Sequence, residues 1–231
     1  MQVKILETAG LEHALAAMRL PMKSGDKSDS GFCYLHGSEL CNHCPNGVWT
    51  DDPADMYCEC EKSNFYAVGP ADYKLSAKLT RAGASHRKHL RLIDAWLEIR
   101  APRYWWAEFD TYRYGVDKVS ESTMHRLLLD DITEEDFEGI DTVTFADFKD
   151  LADAIKKDIG FGIYPSNEAL PVLKRNLPES YLQTRICKCS YEALHSMYQE
   201  RKNHRLPEWQ FFCKVIKDLP YSEWITEETG N

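Results

Sequence analysis

The sequence predicts an α+β fold, on three observations. A few segments alternate apolar and polar residues, as strands with one buried face do, whereas several others repeat apolar residues at the helical period. The order of these segments lacks the regular alternation of a doubly wound sheet, so a small antiparallel or mixed sheet packed with helices is expected. The 231 residues are 43% hydrophobic and 28% charged, which is ordinary for a globular protein and sufficient for a single domain over 1–231.

Alternating segments mark the expected strands. They are QVKILETA at residues 2–9, AWLEIR at 95–100 and YLQTRICKC at 181–189. In AWLEIR, Ala95, Leu97 and Ile99 fall on one face, and a tryptophan and two charged residues fall on the other. This is the pattern of a half-buried strand.

Helices are expected between and after these strands. LEHALAAMRL ends at Pro21, and ADYKLSAKLTRAG ends at Gly83, because proline and glycine both stop helices. An acidic helical region is expected at about 134–159, with GFGIYPSNEALP after it as a loop. Ser190 is a favourable N-cap for the helix YEALHSMYQERKNH. The final helix, PEWQFFCKVIKDL, has apolar residues at positions 209, 212, 213 and 216.

A segment without periodicity, residues 22–64, contains five of the eight cysteines. A structureless loop of this length is unusual in a compact domain unless a bond or an ion holds it together. The pairs Cys41-x₂-Cys44 and Cys58-x-Cys60 supply four thiolates, a set typical of structural tetrahedral zinc. The sequence therefore predicts a cysteine-rich insertion over 31–62. Its cysteines either bind zinc or remain reduced thiols without metal.

The segment IRAPRYWWAEFDTYRYG, residues 99–115, combines many rings with many charges. It is expected to form a helix over 102–114, with Trp105, Glu108, Phe109 and Tyr112 on one face. Such a face suits a flat anionic ligand, because rings stack and a guanidinium pairs with phosphate. The alternative is a helix at a subunit interface, where the same residue types are enriched.

A second candidate site involves Arg201. Leu194, Tyr198 and Arg201 recur at the helical period, so the arginine falls on the face expected to be buried. A buried guanidinium without a partner is costly, so Arg201 should meet either a protein carboxylate or an anionic ligand. Alternatively, it complements the carboxyl end of its own helix.

Composition excludes some classes of function. The net charge is −9, and acids concentrate at 127–150, which argues against non-specific nucleic-acid binding. No apolar run approaches the length of a membrane span, and the first residues lack the features of a signal peptide. A cytoplasmic protein without membrane partners is therefore expected. We find no Ser–His–Asp arrangement that would indicate a side-chain nucleophile.

Residues 75–225 resemble the flavin-dependent thymidylate synthases (ThyX) in residue type, order and spacing. RAGASHRKH is similar to the Gly-containing turn and histidine that follow a helix in that family. APRYWWAEFDTYR then aligns without a gap, with Glu108 at a glutamine position and Thr111, Tyr112 and Arg113 at an Arg-His-Arg motif. The motif is therefore degenerate, with one arginine kept.

The resemblance continues through the second half of the chain. The signature Asn-Glu-x-Ser-x-Arg-Tyr corresponds to VSESTMH, in which only Ser122 matches. Arg201 falls on the arginine that contacts the pyrimidine nucleotide in that family. His204 falls near a flavin-contacting histidine, and Lys174 or Arg175 near a nucleotide-binding arginine.

This resemblance implies a divergent enzyme that uses FAD and acts on dUMP or a related pyrimidine nucleotide, with NADPH and a folate as co-substrates, as a homotetramer. It implies FAD contacts from Tyr112, Arg113, Ser122 and His204. It also implies nucleotide contacts from Glu108, Lys174 and Arg201, the last stabilising charge on the pyrimidine. Because the signature is altered, a second function stays open: a non-catalytic nucleotide-binding or interaction protein on the same scaffold.

Overall fold

The computed structural model describes residues 1–33, 47–48, 57–58 and 65–227, and it confirms the α+β fold. Three of the predicted cysteine ligands, Cys41, Cys44 and Cys60, lie outside the described residues, and only the backbone of Cys58 is described. The zinc prediction is therefore not tested. Among the described residues, no helix is long and apolar enough to cross a membrane.

The strands of the described residues occur in three sheets. They are β1 (Gln2–Ala9), β2 (Gly31–Cys33), β3 (Gly47–Val48), β4 (Tyr57–Cys58), β5 (Phe65–Ala67), β6 (Asp94–Pro102), β7 (Val116–Ser120) and β8 (Leu182–Ser190). The main sheet has the order β1-β6-β8-β7, whereas β2 pairs with β5 and β3 with β4. All three predicted strands belong to the main sheet.

Backbone hydrogen bonds fix the strand directions in the main sheet. Arg103 N–H donates to the carbonyl of Tyr181, and Tyr191 N–H donates to that of Ile93, so β6 and β8 run antiparallel. At the other side of β8, Glu121 N–H donates to the carbonyl of Thr184. The Lys188–Asp117 ion pair lies further along the same two strands, so β7 and β8 are antiparallel too.

The helices of the described residues are interspersed among the strands. They are α1 (Leu11–Arg19), α2 (Pro70–Arg81), α3 (Arg103–Phe109), α4 (Thr123–Leu129), α5 (Thr142–Gly160), α6 (Ser166–Asn176), α7 (Tyr191–Arg201), α8 (Pro207–Ile216) and α9 (Glu223–Thr226). Ser190 caps α7 as predicted, since its Oγ accepts from the Ala193 N–H at 3.2 Å. The apolar face predicted for α8 is buried at Trp209, Phe212, Cys213 and Ile216.

Contacts divide the described chain into two compact units. The first unit comprises Met1–Leu6, Trp96–Lys188 and Asn203–Phe212. One of its apolar clusters joins α4, α5 and α6 and includes Leu127, Phe148, Ile155 and Leu173. The predicted acidic helix proves to be α5, preceded by a short 3₁₀ turn at Glu134–Asp136.

The second unit comprises Glu7–Ala95, Cys189–Lys202 and Cys213–Asn231. Its helix α1 follows β1 through Gly10, whose φ is +92°. A Cβ at this position would lie 2.0 Å from the Leu92 carbonyl oxygen, so both the backbone and the space require glycine. The inner helix α7 buries Leu194 and Tyr198, which confirms the apolar stripe that the sequence predicted.

Besides the helix predicted to be the last, α8, which α9 follows, two predictions about elements were wrong. The loop predicted over residues 160–171 ends at Pro165, and α6 begins at Ser166 and runs through Pro171. The proline removes one backbone hydrogen bond, but burial of Ala169, Leu170 and Leu173 outweighs that loss. The second error concerns α3, which ends at Phe109 rather than at residue 114.

Candidate functional site

The segment after α3 explains why the helix stops early. The Thr111 and Tyr112 N–H groups donate to the carbonyls of Glu108 and Phe109, which tightens the chain into turns. Gly115 then adopts a φ of +70° before β7 begins, a left-handed conformation that favours glycine. Tyr112 and Arg113 therefore lie on a turn rather than on a helix face.

Asp110 fixes the start of this turn. Its carboxylate forms ion pairs with Lys118 on β7 at 2.7 Å and with Arg185 on β8 at 2.9 Å. Partial burial alone would raise the pKa of Asp110, but the Lys118 and Arg185 contacts hold it below its ordinary value. The Arg185 guanidinium also lies 4.1 Å from the centre of the Trp106 ring, so it joins the turn to α3.

The rings of α3 form part of the core of the first unit. Trp105, Trp106 and Phe109 are at most 1% exposed. Trp105 lies 4.7 Å from Trp209 and 5.5 Å from Phe212, both on α8, between ring centres. These three rings therefore present no stacking face to a ligand and no surface to a second subunit. For these three rings, neither the predicted ligand-stacking face nor the alternative subunit interface was correct.

The polar edge of this cluster brings together three of the predicted site residues. Glu108 Oε2 accepts a hydrogen bond from Trp209 Nε1 at 2.9 Å and lies 3.6 Å from His204 Nε2. The rings of Tyr112 and His204 lie 6.0 and 6.3 Å from that of Trp209. Glu108, Tyr112 and His204 thus surround one indole, and we call these four residues the Trp209 cluster.

The tautomer of His204 follows from its neighbours. The Leu206 N–H donates to His204 Nδ1 at 3.3 Å, so Nδ1 acts as an acceptor. In the neutral ring the proton is then assigned to Nε2, which faces the Glu108 carboxylate. An imidazole and a carboxylate in this arrangement can exchange a proton with a bound ligand or bind its polar edge.

A buried acid lies beside the Trp209 cluster. The Tyr104 hydroxyl donates to Glu208 Oε1 at 2.5 Å, and Glu208 is 8% exposed. Burial and the Glu208 carboxylate both raise the pKa of Tyr104. Tyr104 and Glu108 are four residues apart on α3, so this pair anchors the same helix face that carries Glu108.

Ser122 lies in a different place from the Trp209 cluster residues. It lines a small polar cleft of about 200 Å³ with Arg100, Arg126, Tyr181 and other side chains. Arg126 forms an ion pair with Asp130, and Arg100 forms one with Asp136. With Glu121 also at its edge, the cleft contains more carboxylates than guanidinium groups. This balance does not fit a phosphate group.

The remaining predicted residues are Arg113, Lys174 and Arg201. Arg113 is exposed, and Lys174 is half-buried in the last turn of α6. Arg201 ends α7 in the second unit and is half-buried. Burial raises the pKa of the Cys213 thiol to about 11. The positive charge of Arg201 lies close enough to that thiol to oppose part of this rise.

Several contributing residues were not predicted from the sequence. Trp209 and the Tyr104–Glu208 pair were missed because tertiary packing alone brings α3 to α8. Arg185 could have been suspected, since an arginine within an alternating strand needs a partner when its neighbours are buried. Buried thiols are not nucleophile candidates, because burial raises the pKa of Cys187 to about 12.

Comparisons with known proteins agree with this fold. Two crystal structures of thymidylate synthase X (ThyX) from Helicobacter pylori, both with FAD and dUMP, match the chain with a TM-score of 0.64. Sequence identity is 17% and 16%, and the matches cover 99% of this chain and 97% and 98% of those chains. The fold is that of a flavin-dependent thymidylate synthase. No protein-family model and no curated protein sequence matches the chain.

The residues on this ThyX-like fold fit a flavin nucleotide only in part. Tyr112 and His204 provide ring edges, and Arg113 provides an exposed cation that makes no hydrogen bond or ion pair within the described part of the chain. The cleft at Ser122 does not fit a phosphate, for the electrostatic reason given above. The Trp209 cluster and Arg113 are thus better candidates than the Ser122 cleft to hold a flavin nucleotide.

Proposed function

We propose that this chain is a flavin-dependent, thymidylate-synthase-like protein that acts on a pyrimidine nucleotide. The observation that carries the proposal is the likeness to ThyX over nearly the whole chain. The Trp209 cluster supports it, because three residues chosen by resemblance meet around one indole. In this role Tyr112, Arg113 and His204 hold the flavin, with a lesser part for Ser122.

The nucleotide would be held by Glu108 and Lys174, with Arg201 as the residue that polarises the pyrimidine. A guanidinium beside a pyrimidine carbonyl stabilises the negative charge that develops when the ring carbon attacks an electrophile. Bound FAD would supply the reducing equivalents, with NADPH and a folate as co-substrates and a homotetramer as the assembly. These roles rest on the resemblance. A single domain over residues 1–231 is part of the same proposal.

A second candidate function is a non-catalytic nucleotide-binding or interaction protein on the same scaffold. Two observations favour it. Thr111 occupies an arginine position of the family motif, and its hydroxyl donates to the Glu108 carbonyl at 2.7 Å, so it is turned toward its own backbone. In addition, both arginines beside Ser122 already pair with aspartates.

Ligand binding by the purified chain distinguishes the two functions. A flavin absorption band that is released on denaturation, together with a higher melting temperature in dUMP, supports the enzyme. A ligand at a hundred times its dissociation constant stabilises the fold by about 2.7 kcal/mol, which a melting curve detects. A colourless protein stabilised by dUMP alone supports a non-catalytic nucleotide-binding protein. One that responds to neither FAD nor dUMP contradicts the enzyme and leaves the interaction protein of the second candidate.

Variants at the Trp209 cluster test the location of the site. Glu108→Gln should weaken dUMP binding or FAD binding while leaving the Trp209 contact a side-chain acceptor. Glu98→Gln on β6, an exposed glutamate, is the matched control. If both variants bind these ligands as the wild type does, the site lies elsewhere.

The zinc proposal for Cys41, Cys44, Cys58 and Cys60 has its own test. Elemental analysis should find about one zinc per chain, since four thiolates form one tetrahedral site. Replacing Cys44 by serine should remove most of it, whereas replacing the buried Cys213 should not. Less than about half an equivalent in the wild type, by the same one-site stoichiometry, would contradict a structural zinc.

A further inference from the structure

A groove among the helices α4, α5 and α6 of the first unit has no role in the proposed function. Its volume is about 640 Å³, which lies within the range of small-molecule sites. Five apolar residues form most of its walls: Leu128, Leu129, Ile159, Leu170 and Pro171. All five are aliphatic, so the described lining of the groove offers no ring on which a flavin, a folate or a base could stack.

Among the polar side chains that line the groove, one carries a charge, and it is positive. Lys156, Ser166 and Asn167 also line it, and Lys156 is the cation among the lining residues. Its ammonium donates to the Asp130 carbonyl, a neutral acceptor. Within the described residues Lys156 forms no ion pair. The nearby Asp131 carboxylate pairs with Lys149 at 2.7 Å, and the charge of Lys156 acts on it only as a smaller effect that helps to lower its pKa.

An unpaired ammonium beside aliphatic walls is complementary to an anion that carries an aliphatic chain. The chain would be removed from water by the leucines and Ile159, which is favourable in proportion to the buried area. The anionic head would pair with Lys156 in a charge-assisted hydrogen bond, and the Ser166 and Asn167 side chains offer further donors.

Exposure at the mouth of the groove supports a bound partner of this kind. Leu129 is 79% exposed although it lies beside apolar neighbours. A large exposed leucine alone is ordinary, but one that borders an apolar groove with an unpaired cation marks a binding surface. We propose that this groove binds a medium-chain carboxylate, with Lys156 at the head group and Leu129, Ile159 and Leu170 along the chain.

The test compares a charged probe with an uncharged one on the full chain. Decanoate and decanol are titrated against a fluorescent fatty-acid analogue bound to the protein. The Lys156→Gln variant should weaken decanoate about tenfold, the value of one charge-assisted hydrogen bond, and leave decanol unchanged. Lys157→Gln, an exposed lysine on the same helix that does not line the groove, should leave both ligands unchanged. Leu129→Ser should weaken both ligands.

Other outcomes overturn the proposal. They are the absence of saturable displacement of the fluorescent analogue, and equal decanoate affinity in the wild type and the Lys156→Gln variant. Sedimentation checks whether a second copy covers the groove instead. A dimer that Leu129→Ser dissociates, with no decanoate binding, also overturns the proposal. Because Leu129 and Lys156 are not core residues, both variants should fold, and their melting temperatures confirm this.

Discussion

In helix α3 the buried side chains are Trp105, Trp106 and Phe109, whereas helix α2 buries Asp72, Ser76 and Thr80 beside a single alanine. The first set packs by ring contacts, and the second by hydrogen bonds. Asp72 accepts from Arg19 Nε at 2.5 Å and from Ser28 and Ser30 at 2.6 Å each. The buried faces of α3 and α2 are thus stabilised by different kinds of interaction.

The difference predicts different responses to mutation and to pH. An aromatic interior loses stability when volume is removed, because the cavity is not refilled. A hydrogen-bonded interior loses it when one partner is removed, since the other stays buried without a partner. Of the buried side chains compared on these two helices only Asp72 titrates, and Ser76 contacts the titratable ring of His89.

The largest effect is expected in the aromatic interior. Trp105→Ala should lower the free energy of unfolding by about 3–5 kcal/mol, since it deletes a fully buried indole. Tyr114, which is 93% exposed, provides the control, and Tyr114→Ala should change the free energy by less than about 0.5 kcal/mol. Urea unfolding followed by circular dichroism measures both. Similar values for the two variants would contradict the packing of α3.

The buried ion pair on α2 should give the next effect. Burial alone would raise the pKa of Asp72, but the Ser28, Ser30 and Arg19 hydrogen bonds keep it below its ordinary value. Asp72→Ala leaves the Arg19 guanidinium buried without its partner and should cost about 3 kcal/mol. The exposed Asp26→Ala is the matched control. A double variant, Arg19→Met with Asp72→Ala, should recover part of the loss; no recovery would argue against the pair.

The smallest effect depends on pH and involves His89. Its Nε2 lies 2.7 Å from Ser76 Oγ, and burial lowers its pKa from 6.5 to about 4. The unfolded chain therefore binds a proton between pH 6.5 and 4 that the folded chain does not. Stability is unaffected by this residue above pH 6.5 and falls as the pH drops, by about 2 kcal/mol at pH 5 relative to pH 8.

Comparing the wild type with His89→Gln isolates this contribution. Glutamine keeps a side-chain partner for Ser76 but does not titrate. Between pH 8 and 5 the free energy of unfolding of the variant should therefore fall by about 2 kcal/mol less than that of the wild type. The exposed His13→Gln serves as the control and should keep the wild-type slope. Parallel pH profiles for the wild type and His89→Gln would show that His89 is not held neutral.

Local pattern determined much of this protein. Alternation identified β1, β6 and β8, and the 3.6-residue period identified α1, α2, α7 and α8, because these patterns record which face of an element is buried. The cap at Ser190 and the helix end at Gly83 could also be predicted, because each depends only on residues close by in the sequence.

Tertiary structure decided the rest. Whether the rings of α3 meet a ligand, a second subunit or α8 depends on which element packs against them, and a single segment contains no information about that. Helix α3 ends where Asp110 pairs with Lys118 and Arg185, although periodicity predicted a longer helix. Burial of Leu170 and Leu173 carried α6 through Pro171. The Trp209 cluster arose in the same way, because residues about one hundred positions apart had to be brought into contact.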